Sequence, residues 1–381
     1  MTRNSTPYHP ALLLASLGAG GLAVSFYLYL LFLTPHPGQP VPTIDTLLAL
    51  AADTGQSGWW GVPWVLALLF AGLHFWLLFW NIPRYRAYQA AHLTPLTLGD
   101  SAFIRFAWPL LLAMSMNAGF VVALLTIPGL WPVIEYIFPL AMLIFIVLGF
   151  FTLKQLGALI GNGLKESKPL LAANNLASLM PAFALGMITV GLSGPSAMSH
   201  ELLTSSIALF FVVLFGVATL LIIVAFGISS LANVLRNGVS VADSYGLMIL
   251  VPVSTILGIA VFRVLMALGH HFDLALPNRL FFLFFAALIA FQIFILWMGL
   301  AVLRRTGAWA ALWSDAPVPQ VFAIICPGVA FVVMWDFFIS RGVASLPGGA
   351  ALMTVGWMIS AALQAFVVYV FLRLVKRLIN G

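Results

Sequence analysis

VFAIICPGVAFVVMWDFF, residues 321–338, is the stretch from which the rest of this chain is best interpreted. It is an apolar run close to the length of a bilayer, with a proline-glycine pair, Pro327 and Gly328, in its first half. Proline inside a helix removes a backbone hydrogen bond, and an unsatisfied backbone group in hydrocarbon costs several kcal/mol. The proline therefore marks either a packing kink or a helix that faces an aqueous path, and recurrence of the pattern favours the path.

The composition identifies the class of protein. Of 381 residues, 63% are hydrophobic and 7% are charged, against about 25% charged in soluble domains, so the sequence predicts a polytopic membrane protein. No signal-peptide cleavage pattern follows the first apolar run. The formal net charge of +6 then reflects membrane topology rather than nucleic-acid binding. Cys326 is the only cysteine, which excludes an intramolecular disulfide and an all-cysteine metal site.

Ten runs have the roughly 20 apolar residues that a membrane-spanning helix needs, and they predict a single all-α transmembrane domain over residues 1–381. The predicted spans are 11–33, 59–80, 106–127, 133–154, 176–193, 205–227, 246–267, 281–303, 321–339 and 350–373.

The basic residues predict the orientation of these spans. With a cytoplasmic N-terminus, all 16 Lys and Arg residues except Arg263, Arg279 and Arg341 fall on the cytoplasmic side. The positive-inside rule then places both termini in the cytoplasm, which requires an even number of spans.

Two loops stand out. The first outer loop, residues 34–58, is rich in proline and is predicted to be an ordered or semi-rigid cover without helical periodicity. The cytoplasmic loop 81–105 carries Arg84 and Arg86 beside tyrosines. Such residues usually lie at the level of the lipid headgroups, so the loop is a membrane anchor; a specific site for an anionic lipid is the alternative.

The proline of the opening stretch recurs near the start of every odd-numbered span. The last four of these prolines are roughly 70 residues apart, which indicates a repeated supersecondary unit. The unit is a helical hairpin, with one proline-bearing helix followed by one plain helix, five times over. The five prolines are Pro10, Pro109, Pro181, Pro252 and Pro327.

Five parallel proline-kinked helices predict an inner ring around a central pore, with five bulkier outer helices facing lipid. Small or polar residues follow the prolines, and close helix packing is the alternative explanation for them. The pore-lining candidates are Ser16, Gly18, Ser115, Asn117, Thr189, Thr255 and Cys326; Cys326 either lines the path or only packs.

On these five prolines the chain resembles the tellurite-resistance/dicarboxylate transporter family, whose plant members are the guard-cell slow anion channels, and it is similar to a divergent bacterial branch. The resemblance implies five helical hairpins around a pore, a homotrimer with one pore per subunit, anion conduction, and residence in the inner membrane. It also implies a phenylalanine gate on the ninth helix. Phe331, four residues after Pro327, is the first candidate for this gate, and Phe262 on the seventh span is the second.

Ionisable residues at membrane depth are usually functional. Arg263 and Asp336 are predicted at similar depth near the outer mouth, where they form an ion pair or, alternatively, Arg263 attracts anions. His74 is predicted to be a packed or interfacial histidine rather than a proton relay. His270 and His271 lie in an outer loop without other metal ligands.

No catalytic constellation, metal site or cofactor motif is present, so no enzymatic activity is expected. A pore with few charges favours passive flow, because an ion must bind weakly enough to leave. The sequence therefore predicts a passive gated channel for small inorganic or organic anions. The alternative is a secondary transporter for a sulfur, selenium or tellurium oxyanion or a small organic acid.

Overall fold

The computed structural model describes residues 8–53, 58–92, 100–166, 175–274, 277–314 and 318–380. Within these ranges, ten helices are long and apolar enough to cross a membrane, which confirms the all-helical membrane class. Arg3 and Lys168, which enter the charge argument, lie outside the described residues. Spans 1 to 10 are Pro10–Leu33, Gly58–His92, Ile104–Thr126, Trp131–Glu166, Ala177–Met198, Leu202–Asn237, Val241–His271, Arg279–Arg305, Pro319–Ser345 and Gly349–Leu378.

Three even-numbered spans are longer than predicted. Spans 2, 4 and 6 continue to His92, Glu166 and Asn237, about three helical turns beyond the predicted ends of the first two. These extensions are less apolar than the spans before them, but their residues still favour a helix. The helix therefore ends beyond the point where the apolar run ends. The segment 81–92, predicted as a loop, is helical.

The first outer loop contains a helix, Ile44–Ala52, which corrects the prediction of no helical periodicity. Its start is a capping box: the Thr43 side chain accepts from the Thr46 backbone N–H, and the Thr46 hydroxyl receives the Thr43 backbone N–H. This pairing satisfies two of the backbone donors that a helix start leaves free. Two further short helices, Asp100–Phe103 and Ala308–Leu312, lie between spans.

The five repeated prolines lie at a change of helix type. Spans 1, 3, 5 and 9 begin with a 3-10 turn and continue as an α-helix, whereas in span 7 the 3-10 turn, Tyr245–Met248, follows a first short α-helical segment. Pro10 opens the first 3-10 turn, and each of the other four is the second or third residue of its α-helix. Backbone N–H groups in the first turn of an α-helix have no partner within that helix, so proline is tolerated there.

The odd and even spans differ in burial. In the most apolar 18-residue stretch of each span, between 50% and 83% of residues are buried in the odd spans, against 17% to 39% in the even spans. Each odd span contacts the next odd span, and span 9 contacts span 1. Below, the end at which the odd spans begin is called the inner end, and the opposite end the outer end.

The even spans pack outside these contacts and expose large apolar side chains, among them Leu69 of span 2 and Phe294 of span 8. Glycines let them approach closely: a Cβ atom on Gly191 of span 5 would lie 2.3 Å from the ring of Phe145 on span 4. π-Helical turns interrupt span 6 at Ile223–Gly227 and span 9 at Phe338–Gly342.

Candidate functional site

The larger of two cavities bordered by the odd spans, called the outer cavity, has a volume of about 500 Å³. All five odd spans line it, together with four residues of span 4 and Val41 of the first outer loop. The hydroxyl of Tyr27, which also lines the cavity, donates to the carbonyl of Pro42 and so holds this loop beside it. The lining is mostly apolar. Its polar members are Tyr27, Ser115, Asn117, Thr255 and Arg263.

A second cavity of about 390 Å³, called the inner cavity, lies where the odd spans begin. The first residues of all five odd spans line it, so five helix amino termini surround one space. Helix amino termini carry partial positive charge and unpaired backbone N–H groups. Polar side chains also contribute to the lining, namely His9, Tyr88, Asn175, Asp243, Tyr245 and Gln320.

The two cavities share three lining residues: Phe183, Pro252 and Cys326. Phe183 lies on span 5, two residues after Pro181, and its side chain is buried. Because these residues border both spaces, they form the boundary between the inner and outer cavities. Cys326, predicted either to line the path or to pack, lines both cavities.

Arg263 lines the outer cavity from span 7. One guanidinium nitrogen donates to the carbonyl of Val190 at 3.2 Å, and it lies 3.5 Å from the hydroxyl of Ser193. Neither partner is charged, and among the described residues no carboxylate contacts this guanidinium. A half-buried arginine that holds only neutral acceptors retains donors and charge for an anion in the cavity.

Asp336 does not line either cavity. Its side chain is buried on span 9, where it accepts a hydrogen bond from Ser360 of span 10. Tyr29 of span 1 lies 3.0 Å from the same serine hydroxyl. The second carboxylate oxygen has no hydrogen-bond partner. The ion pair between Arg263 and Asp336 that the sequence suggested finds no support in the described residues.

Neither predicted gate residue is part of the cavity linings. Phe331 is half-buried and packs against Trp335, with ring centroids 6.4 Å apart. Phe262 is buried in an aromatic cluster with Phe281, Phe285 and Phe337. The assignment of the gate to Phe331 or Phe262 stays a prediction, and neither side chain borders the space where the two cavities meet.

Gly18, Ser115, Asn117, Thr255 and Cys326 line the outer cavity, as five of the seven pore-lining candidates. The remaining two are directed elsewhere. Ser16 bonds to His74 of span 2. Thr189 donates to a carbonyl of its own helix and faces span 6, where its methyl group lies 3.6 Å from a Cβ built on Gly216. Of the five prolines, Pro10, Pro252 and Pro327 line the inner cavity.

His9 caps the first odd span at the inner cavity. Its Nδ1 accepts a hydrogen bond from the backbone N–H of Ala11, and its Nε2 lies 3.2 Å from the side-chain amide of Gln320. Burial lowers the pKa of His9, so the neutral ring that can accept this bond is favoured.

The histidines at the outer end form a different group. The ring of His270 lies edge-on to that of His200 and tilted against that of His271, and the Nε2 of His271 lies 3.0 Å from the carbonyl of Ser199. Glu135 accepts from the hydroxyl of Ser199 and from the backbone of His200. In the part of the chain that the structure describes, no cluster of three or more His, Cys, Asp or Glu residues could hold a metal ion.

The predicted membrane anchor is only partly as expected. Arg84 and Arg86 are exposed, and the guanidinium of Arg84 lies over the ring of Trp80 and donates to its carbonyl. Tyr85 is buried and stacks on Trp108, and Tyr88 lines the inner cavity. Tyr85 therefore packs within the helices, and Tyr88 borders a cavity.

Sequence reasoning missed Phe183 and did not predict the contacts that His74 makes behind the cavity wall. Phe183 follows a repeated proline, and that position could have identified it because the repeat places this segment near the inner end of its span. His74 gave no comparable signal: it lies on an even span, yet it hydrogen-bonds to spans 1 and 3. Only the packing of the three spans reveals this contact.

No protein-family model matches this sequence, and a comparison with curated proteins finds no match.

Proposed function

We propose that the protein is a passive, gated anion channel of the bacterial inner membrane. In this proposal the ten spans form five helical hairpins, and the five odd spans surround a pore made of the inner and outer cavities. The observation that carries the proposal is the position of Arg263, a half-buried cation in the wall of the larger cavity that no carboxylate of the described residues contacts.

Electrostatics supports an anion rather than a cation as the permeating ion. Arg263 supplies positive charge to the outer cavity, and five helix amino termini supply partial positive charge and N–H donors to the inner cavity. Asp243 opposes this field, but its carboxylate is partly occupied by the hydroxyl of Ser240 and the amide of Asn175. The remaining lining binds weakly, which suits passage.

The gate is assigned to Phe183 in this proposal. Its side chain borders both cavities, so a change of its rotamer would change the opening between them. The ring would close the path by removing water from a constriction, which is how hydrophobic gates work. The resemblance to the tellurite-resistance/dicarboxylate transporter family also favours a phenylalanine gate, although on the ninth span. The homotrimer rests on that resemblance alone.

Recordings from purified protein in planar bilayers test the proposal. With a chloride gradient across the bilayer, the expected reversal potential lies close to the equilibrium potential of the anion. Absence of current, or a reversal potential that follows the cation, would overturn the proposal. Lipids are the other expected partners, and the exposed Arg84 and Arg86 are the expected contacts for an anionic lipid. Recordings with and without such a lipid in the bilayer test whether it changes the current.

A secondary transporter for a small organic acid is the second candidate. The outer cavity favours it in one respect: about 500 Å³ of mostly apolar lining with one cation suits an anion with an apolar body, as ligand pockets generally do. A transporter would show saturable uptake that an uncoupler abolishes. Flux that follows only the anion's own gradient would exclude it.

A further inference from the structure

His74 lies on span 2 but reaches between spans 1 and 3. Its side chain is fully buried. The ring Nδ1 lies 2.8 Å from the carbonyl oxygen of Ser16 on span 1, and Nε2 lies 2.9 Å from the hydroxyl oxygen of Ser115 on span 3. The hydroxyl of Ser16 donates in turn to the carbonyl of His74. The histidine thus joins three spans through its ring and its backbone.

This close contact depends on a glycine. A Cβ atom on Gly20 of span 1 would lie 2.8 Å from Nδ1 of His74, too close for any residue other than glycine without a shift. The hydroxyl oxygen of Ser16 also lies 3.2 Å from Nδ1, and the ring contacts Phe75 edge-on. No charged or further titratable side chain among the described residues contacts it, on span 1, 2 or 3. A proton on this ring would therefore be an uncompensated charge.

The hydrogen-bond partners determine where the protons lie. A carbonyl oxygen only accepts, so Nδ1 carries a hydrogen and donates to Ser16. In the neutral ring Nε2 is then an acceptor, and the single hydrogen of the Ser115 hydroxyl points to it. The alternative acceptor for this hydrogen is the carbonyl of Leu111, 2.9 Å away. Ser115 itself lines the outer cavity.

Protonation of the ring changes what Ser115 can do. Nε2 then donates a hydrogen bond to the serine oxygen. The serine hydroxyl, which keeps its hydrogen, can donate instead to the carbonyl of Leu111 or to an anion in the cavity. The positive charge on the ring lies one hydrogen bond from the cavity wall. An anion there gains a donor and a charge, while the charged ring gains the counter-ion that the protein does not supply.

We propose that His74 is a proton-binding site, and that through Ser115 it links the uptake of one proton to the occupation of the outer cavity by an anion. This inference rests on the proposed anion function and specifies its regulation. Linkage is reciprocal, so the anion favours protonation as much as protonation favours the anion. One linked proton raises the anion affinity by up to about tenfold per unit of falling pH.

Nitrate currents test this inference in planar bilayers from about pH 8 to about pH 5, the range in which histidine commonly titrates. The wild type is compared with His74→Gln, which cannot be protonated, and with Ser115→Ala, which keeps the histidine and removes the link. His271→Gln, another histidine bonded to a backbone carbonyl, is the matched control. Size exclusion and thermal unfolding verify that each variant is folded.

In the wild type and in His271→Gln, the affinity for nitrate should rise as pH falls. In His74→Gln and Ser115→Ala, the affinity should not change with pH. A wild-type nitrate affinity that does not change with pH would overturn the inference. So would a pH dependence of the affinity that remains in His74→Gln or in Ser115→Ala. If His74→Gln does not fold, the pH dependence of nitrate affinity in Ser115→Ala is the deciding measurement.

Failure of the proposed function is recognised separately, as the absence of nitrate current at every pH. NMR of isotope-labelled histidine then tests the proton site without any flux. Here His74→Gln identifies the resonance, and nitrate is added to the purified protein. A ring that takes up a proton when nitrate is added supports the inference, and a ring that stays neutral throughout contradicts it.

Discussion

The two cavities of this protein obtain positive charge in different ways. In the outer cavity it comes from one side chain, Arg263, in a wall that is otherwise mostly apolar. In the inner cavity it comes from the backbone, because five helices begin there, and the acid Asp243 opposes it. A side chain can be removed by one substitution, whereas helix amino termini cannot. The contribution of positive charge to anion binding is therefore easier to measure in the outer cavity than in the inner one.

Arg263→Gln is expected to have the largest effect. Hydrogen bonds to charged groups contribute about 1.5–3 kcal/mol, so the affinity for the anion should fall roughly tenfold or more, measured as the concentration that gives half-maximal conductance. Arg279→Gln, at an exposed arginine at the start of span 8, is the control for a general loss of charge. Equal effects of the two substitutions would show that the outer cavity has no special role.

Phe183→Ala tests the boundary between the cavities. Removal of a ring that borders both spaces should raise single-channel conductance severalfold, because the hydrophobic constriction widens and hydrates. Phe331→Ala and Phe262→Ala are matched controls, since these rings line neither cavity. An increase in Phe331→Ala with no change in Phe183→Ala would return the gate to the ninth span.

Asp243→Asn tests the inner cavity and should have a smaller effect. Removal of the opposing charge should raise anion conductance by less than about twofold, because a partly exposed charge is screened by salt. The increase should shrink at high ionic strength, which conductance measured at two salt concentrations would detect. A fall in conductance would mean that this carboxylate positions the helix start rather than opposes the anion.

His9 offers the smallest and most local test, on stability rather than conduction. The pKa of His9 is lowered in the folded protein, so the unfolded chain takes up the proton first. The contribution of His9 to stability is therefore complete above about pH 6.5 and is lost as pH falls below that value. His9→Asn retains a helix-capping side chain and should remove this part of the acid sensitivity, measured by thermal unfolding in detergent. Unaltered acid sensitivity would contradict the role of His9.

Several features of the fold could be predicted because they depend on local sequence. The apolar runs gave the ten spans, and the five prolines mark the starts of the odd spans. Other features were beyond this method. Span 2 continues past residue 80 because a helix does not end where hydropathy falls, and the helix Ile44–Ala52 is too short for a membrane pattern.

The candidate site was only partly predictable for a related reason. Ser115, Asn117 and Thr255 line the outer cavity as the repeat suggested, whereas Ser16 and Thr189, chosen by the same rule, do not. Position along a span follows from the sequence, but the direction of a side chain around the helix axis depends on which neighbours the helix packs against.

By itself the sequence determined the membrane class, the number of spans and the recurrence of proline at the starts of the odd spans, because hydropathy and proline geometry act over one or two turns. The tertiary structure decided the rest. It left Arg263 without an acidic partner, placed Phe183 between two cavities, and brought His74 from an outward-lying helix to within one hydrogen bond of the larger cavity. These contacts join residues far apart in the chain, and only the packing of several helices together specifies them.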